Sequence, residues 1–148
     1  MGKFYPLVLA LFCGVFPGRA QSIHFDRLDI NDGLSQNTVT SIIQDDKGFM
    51  WFGTKDGLCR YDGKSFKTFM HDPRLTTGLG NSLIKCLVED HDRRIWVGTD
   101  SGLYIYDPEM EHFSAVPLYA DDGKPVTKPV PILDCDREGR VWIVVENN

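Results

Sequence analysis

Residues 49–58 read Phe49-Met50-Trp51-Phe52-Gly53-Thr54-Lys55-Asp56-Gly57-Leu58, and residues 94–103 read Arg94-Ile95-Trp96-Val97-Gly98-Thr99-Asp100-Ser101-Gly102-Leu103. Trp51/Trp96, Gly53/Gly98, Thr54/Thr99, Gly57/Gly102 and Leu58/Leu103 all share one interval, 45 residues. A third tryptophan, Trp142, follows 46 residues later in Arg140-Val141-Trp142-Ile143-Val144-Val145. A period of roughly 40–50 residues made of short apolar strands and Gly/Asp turns is the spacing of propeller blades.

Outward from these stretches the alternation stays that of β-structure. Thr38–Gln44, Phe49–Thr54, Leu58–Tyr61 and Ser65–Met70 read as four strands, separated by turns at Asp45-Asp46-Lys47-Gly48, Asp56-Gly57 and Asp62-Gly63-Lys64. Leu83–Glu89, Ile95–Thr99, Leu103–Tyr106 and His112–Val116 repeat the order. A third copy starts at Val130 and halts two strands in, after a loop over Tyr119–Pro129 rich in Asp, Gly, Lys and Pro. Ile23–Ile30 alternates like a leading strand of the kind that completes the last blade of a closed ring. The fold expected is all-β, a partial β-propeller of about two and a half four-stranded antiparallel blades.

The first twenty residues are of another kind. Lys3 precedes an apolar run, Tyr5–Phe16, and Gly18-Arg19-Ala20 supplies small residues for cleavage, so a signal peptide over 1–20 and export are expected. The run is too short for a bilayer span of roughly 20 residues. The division that follows is 21–36 leading strand and loop, 37–80 blade 1, 81–129 blade 2 with its loop, and 130–148 an incomplete blade 3. Removal of Lys3 and Arg19 leaves 14 basic against 21 acidic residues, a net charge of about −7, which disfavours nucleic acid or an anionic membrane as a partner.

The segments Asn31-Asp32-Gly33-Leu34-Ser35-Gln36-Asn37-Thr38-Val39, Asp45–Thr54 and Gly57-Leu58-Cys59-Arg60-Tyr61-Asp62 closely resemble the two-component regulator propeller repeat. The third copy departs from it, with Ile143-Val144-Val145 where the others carry x-Gly-Thr. The resemblance implies the N-terminal part of a periplasmic sensor of a hybrid two-component system, with further blades, a membrane helix and a histidine kinase beyond this chain. It also implies a role in detecting oligosaccharides, and possible dimerisation of the full-length protein. Competing readings are an exported propeller scaffold without signalling output, a propeller enzyme, and a truncated gene product.

An aromatic face can stack on a sugar, but the equivalent, apolar-flanked positions of Trp51 and Trp96 read more simply as packing between blades. Gly53, Thr54 and Gly57, with Gly98, Thr99 and Gly102, read as fold-defining, the first glycine of each set permitting close approach of blades. Asp45, Asp46, Asp90 and Asp92 read as strand-connecting turns, and His24, His71, His91 and His112 lack metal-ligand spacing, so neither a metal nor another cofactor is expected. No G-x-S-x-G, H-E-x-x-H or phosphate-binding loop occurs. Cys59, Cys86 and Cys135 read as small apolar side chains, with one disulfide as the alternative. A ligand of a propeller meets loops at one end, which nominates Lys55, Asp56, Asp100 and Ser101 from turns, with His71, Asp72, Arg74 and Asn81 from the inter-blade connection.

Overall fold

The computed structural model describes residues 24–146, and the expected signal peptide lies outside the described residues. Blade 1 is the sheet β1 (Val39–Gln44), β2 (Met50–Thr54), β3 (Gly57–Tyr61) and β4 (Phe66–Phe69), paired in that order. Blade 2 is β5 (Ile84–Glu89), β6 (Ile95–Thr99), β7 (Gly102–Asp107) and β8 (His112–Val116), with the same order. A small pair, β9 (Leu118–Tyr119) and β10 (Pro125–Val126), precedes the two strands of blade 3, β11 (Ile132–Cys135) and β12 (Val141–Val144). All these pairings are antiparallel, and no helix occurs among the described residues.

The registers confirm the repeat residue by residue. Ser41 opposes Gly53, Cys86 opposes Gly98 and Ile132 opposes Val144, while Ile43, Val88 and Asp134 oppose the three tryptophans. A bulge interrupts β1 between Val39 and Ser41 and recurs in β5 between Ile84 and Cys86. Such a bulge adds one residue to the innermost strand and sharpens its twist.

Two expectations need correction. Residues 24–29 form no strand: the segment leads into a turn in which Asp32 and Gly33 donate to the carbonyls of Asp29 and Ile30, and Phe25 is 84% exposed. A strand needs an edge to pair with, and among the described residues none lies beside it. The loop over 119–129 is in part a hairpin, because Gly123 takes φ 78° and Ala120 pairs with Lys124, bringing Tyr119 opposite Pro125.

The core lies in the seam between blades 1 and 2. Trp51, Leu58, Ile84, Val97 and Tyr106 are each at most 1% exposed. The rings of Trp51 and Tyr106 meet edge-on at 5.1 Å, and Phe69 meets Phe113 the same way at 5.4 Å. Each such pair adds about 0.5–1.5 kcal/mol beyond the apolar area it buries. Across the outer seam, Lys67 and Arg60 of blade 1 reach Glu111 of blade 2 at 2.7 and 3.5 Å. The Lys67 ammonium holds the Glu111 carboxyl below its ordinary range, with Arg60 contributing less.

Glycine sets how closely the blades stack. A Cβ on Gly53 would lie 2.7 Å from Ile84 Cγ2, and one on Gly98 would lie 2.5 Å from both Cys86 Sγ and the Val130 carbonyl. Ile84 and Val130, both fully buried, are the residues that fill the space these glycines leave.

Candidate functional site

The turns between second and third strands lie at the same end of the blades as the inter-blade connections. Lys55 N donates to Thr38 O at 3.2 Å, Asp100 N to Leu83 O at 3.1 Å, and Gly57 N to Ser82 O at 2.6 Å. His71 N donates to Ser82 Oγ at 2.9 Å, which ties the connection onto the same end. Lys55, Asp56, His71, Asn81, Asp100 and Ser101 thus lie at one end of the molecule, whereas Arg74 is held by Asp72 alone on a connection that runs on along β8, where Phe113 N donates to Thr77 O. They differ in how free their side chains are.

Lys55 and Asp56 are exposed at the tip of the first turn, whose backbone is fixed by buried Thr54: its hydroxyl donates to Gly57 O and accepts from Asp56 N. Thr99 repeats both bonds with Gly102 and Ser101. This local chemistry is why T-x-x-G recurs: a buried hydroxyl closes the turn it begins. Arg74 is exposed but gripped by Asp72 through Nε and Nη2 at 2.7–3.2 Å, and that pairing holds the Asp72 carboxyl below its usual range. Asn81 Oδ1 accepts from Leu83 N at 2.7 Å, and His71 Nδ1 sits 3.0 Å from Leu79 O, so both shape the connection. Asp100 is half-buried and 3.0 Å from the ammonium of Lys85, a residue sequence reasoning passed over.

Tyr119, on the small hairpin, also escaped attention. It is exposed and helps line a cavity of about 210 Å³ together with Asp121, Lys128 and Val145. Val145 follows β12 where Thr99 ends β6, so this cavity belongs to the same end as the turns. This end carries the cations Lys55 and Lys85, the carboxylates Asp56 and Asp100, and the amide of Asn81. Among the described residues no group of three or more His, Cys, Asp or Glu is placed to hold a metal ion, and Cys59, Cys86 and Cys135 are unbridged. Burial pushes the Cys86 thiol up to about 11, while its Sγ–H donates to Val130 O at 3.1 Å.

The opposite end carries a repeated motif that spacing alone had encoded. The indole N–H of Trp51, Trp96 and Trp142 donates to Asp45, Asp90 and Asp136 at 2.8, 2.6 and 2.8 Å, always six residues back. The second carboxylate oxygen accepts backbone N–H groups of the turn, from Phe49, from Asp92 and Arg94, and from Glu138 and Arg140. Burial acts to raise the Asp90 carboxyl, but the Trp96 indole and Arg94 outweigh it and hold it below the usual range. Asp136 is lowered too, chiefly by Trp142 and then by Arg140 against a desolvation effect. Asp45, Asp90 and Asp136 keep the same 45 and 46 residue intervals as the tryptophans, the signal by which they were findable. Their role is to lock the turn to the strand that follows it.

With that geometry in view, comparison with known proteins is informative. Residues 33–56 and 78–101 match the family model described as two component regulator propeller. Both matches begin at a Gly-Leu pair, Gly33-Leu34 and Gly78-Leu79, and end in the turn after the second strand. Over 46 residues, 31% of this chain, the sequence is 48% identical to Histidine kinase P4 of Formosa agariphila, of which it spans 3%. The fold superposes on the extracellular domain assigned to the hybrid two component system BT3049 of B. thetaiotaomicron with TM-score 0.71 and 30% identity. That match covers 80% of this chain and 17% of the other. An extracellular domain of BT4673 from the same organism matches with TM-score 0.62 and 26% identity, over 74% of this chain and 15% of that one. The chain therefore spans less than a fifth of each of these relatives.

Proposed function

From two component regulator propeller repeats, at 33–56 and 78–101, as the premise, we propose that this chain supplies the first blades of an exported, extracytoplasmic sensor of a hybrid two-component system. The observation that carries the reading is the joint one: repeats of a regulator propeller, stacked as in the extracellular domain of BT3049, with their turns and connections gathered at one end. On this reading the chain senses and does not catalyse. Its proposed contribution to binding is the polar end with Lys55, Asp56, His71, Asn81, Asp100 and Ser101, joined by Arg74 on the adjoining connection and by Lys85 and Tyr119. The ligand class we propose is an oligosaccharide, supported by the alternating, nearly neutral polarity of that end and by the exposed tyrosine beside a cavity. Output passes to a kinase carried by the full-length protein, with the remaining blades and signalling domains as partners.

The test is calorimetric titration of the complete sensor region with a panel of defined oligosaccharides from plant, algal and host polysaccharides. Lys55, Asp56 and Arg74 changed together to alanine are expected to weaken binding of whichever sugar the wild type takes. An unchanged affinity removes this end as the site, and no binding by the wild type removes oligosaccharides as the ligand class.

A further inference from the structure

Blade 2 is hollow at the polar end in a place where blade 1 is filled. In blade 1 the space beside Gly57 is occupied, since a Cβ there would meet Phe69 O, Met70 Cγ and Ser35 Oγ at 3.1, 3.2 and 3.5 Å. The strand registers and the 45-residue interval put Gly102, Pro117 and Gly80 in the places of Gly57, Met70 and Ser35. These shorter side chains leave Gly102 uncovered: a Cβ on it would meet only Tyr104 Cε2, at 4.0 Å. A cavity of about 210 Å³ occupies the space, and the β9–β10 hairpin closes one side of it through Leu118 and Val126.

The walls of this cavity are uncharged. Tyr104, Pro117, Leu118 and Val126 supply apolar surface, Ser101 and Thr127 supply hydroxyls, and no ionised side chain lines it among the described residues. Tyr104 Oη makes no hydrogen bond to any described residue, and no buried side-chain polar atom is left without one, so this oxygen stays open to a solute. Burial pushes the Tyr104 phenol up, which keeps it a proton donor at neutral pH. Its equivalent in blade 1, Cys59, is fully buried and donates to Ser35 Oγ. Blade 2 thus sets a half-buried aromatic ring with a free hydroxyl beside a hollow, where blade 1 has a closed network.

We propose, resting on the oligosaccharide reading, that this cavity is a subsite for one uncharged sugar ring and that it rejects uronate and sulfated units. The apolar face of the ring lies on Tyr104, Leu118 and Val126, and its hydroxyls meet Tyr104 Oη and the Ser101 hydroxyl. An anionic unit would lose its water there without finding a cation. The volume falls below the roughly 300–1,000 Å³ of pockets for drug-sized ligands, which limits the occupant to a single ring. The cavity beside Tyr119, Asp121 and Lys128 shares Leu118 and Val126 with this one, so a longer saccharide continues across the hairpin into it.

The test titrates the complete sensor region calorimetrically with neutral trisaccharides of glucose, galactose, mannose and arabinofuranose. Each is run beside the same trisaccharide oxidised to a carboxylate at the primary alcohol of its non-reducing end. Binding of a neutral trisaccharide is expected, with its oxidised counterpart weaker by about tenfold or more. Pro117→Met gives blade 2 the residue that fills this space in blade 1, and is expected to weaken that binding by about tenfold or more with the thermal melt retained. Tyr104→Phe removes an oxygen that bonds to nothing in the protein, so the melt again stays while binding falls about fivefold, the loss of one hydrogen bond. Wild-type affinity in both variants overturns the subsite, and loss of the same binding in the Lys55, Asp56 and Arg74 triple alanine variant would then leave the sensor reading standing without it. Equal affinity for neutral and oxidised forms overturns the proposed selectivity. Binding of none of these trisaccharides by the wild type overturns the subsite, and the oligosaccharide reading falls with it only when the wider panel also fails to bind.

Discussion

Exchanging one pair of residues between blades tests whether neighbouring positions were fitted to each other. In blade 1, Ser35 Oγ lies 2.9 Å from Thr54 Oγ1 and accepts from Cys59 Sγ at 3.2 Å. In blade 2 the equivalents are Gly80, Thr99 and Tyr104, and a Cβ on Gly80 would lie 1.9 Å from Tyr104 Oη and 2.5 Å from Cζ. Gly80→Ser must push the tyrosine aside, an overpacking cost of about 3 kcal/mol at the upper end of its usual range. Tyr104→Cys removes a half-buried ring packed on the core, costing about 2–3 kcal/mol, less than the loss of a fully buried aromatic. Together they rebuild the blade 1 arrangement: the clash is gone and the new hydroxyl has Thr99 and the new thiol as partners. The pair is expected to cost about 2–3 kcal/mol, so the coupling is about 3 kcal/mol, well above the roughly 0.5 kcal/mol within which independent sites add. Urea unfolding followed by tryptophan emission reads it, because at a slope of about 1–3 kcal/mol per molar such coupling shifts midpoints by about a molar or more. Additivity of the two single changes within about 0.5 kcal/mol would refute the fitted-pair reasoning.

Other consequences are as direct. Asp90→Ala deprives Trp96, Arg94 and two backbone N–H groups of their acceptor and is expected to cost about 2–3 kcal/mol in the same urea assay; a loss below about 0.5 kcal/mol would refute the Asp–Trp lock. Because the Asp90 and Asp136 carboxyls lie below their ordinary value, the stability they supply is complete above about pH 4 and is lost as pH falls towards their folded values. Thermal melts from pH 7 to 2.5 are therefore expected to fall on the acid side, less steeply for Asp136→Asn; an unchanged acid profile in that variant counts against the assignment. Arg93 takes φ 65° where Gly48 and Gly139 stand in the equivalent turns, and it makes an exposed ion pair with Asp46 at 3.2 Å, with the Glu89 carboxylate a weaker electrostatic partner. Left-handed strain of about 1 kcal/mol exceeds the usual worth of such a pair, so Arg93→Gly is expected to leave stability unchanged or raise it by up to about 1 kcal/mol. A loss greater than that would show the ion pair to matter more than the strain.

Much of this architecture was legible from residue order because strands and turns are local. The alternation of β1–β8, the turn glycines and the interval between tryptophans each depend on neighbours within a few residues. Asp45, Asp90 and Asp136 were equally legible in principle, since an i, i+6 partner across a turn is a local relation that recurs with the repeat. The leading segment was not legible. Alternation over residues 23–30 describes a strand only where an edge exists to complete its hydrogen bonds, and pairing is a property of the partner. The hairpin over 118–126 was hidden for the converse reason: its strands are two residues long, too short to show any period.

Among the nominated ligand residues, sequence order placed Lys55, Asp56, Asp100 and Ser101 in turns, but proximity of those turns to His71 and Ser82 follows from the return of the chain across the sheet. The departure at Ile143-Val144-Val145 was likewise visible as a broken motif. What the amino-acid sequence by itself determined is the unit: four short strands, a turn chemistry and a period, because these are set by local propensity and spacing. What the tertiary structure decided is how units meet. Whether Gly53 and Gly98 are hollows, and whether Trp51 is buried at 1%, depends on the side chains arriving from about 45 residues away across a seam.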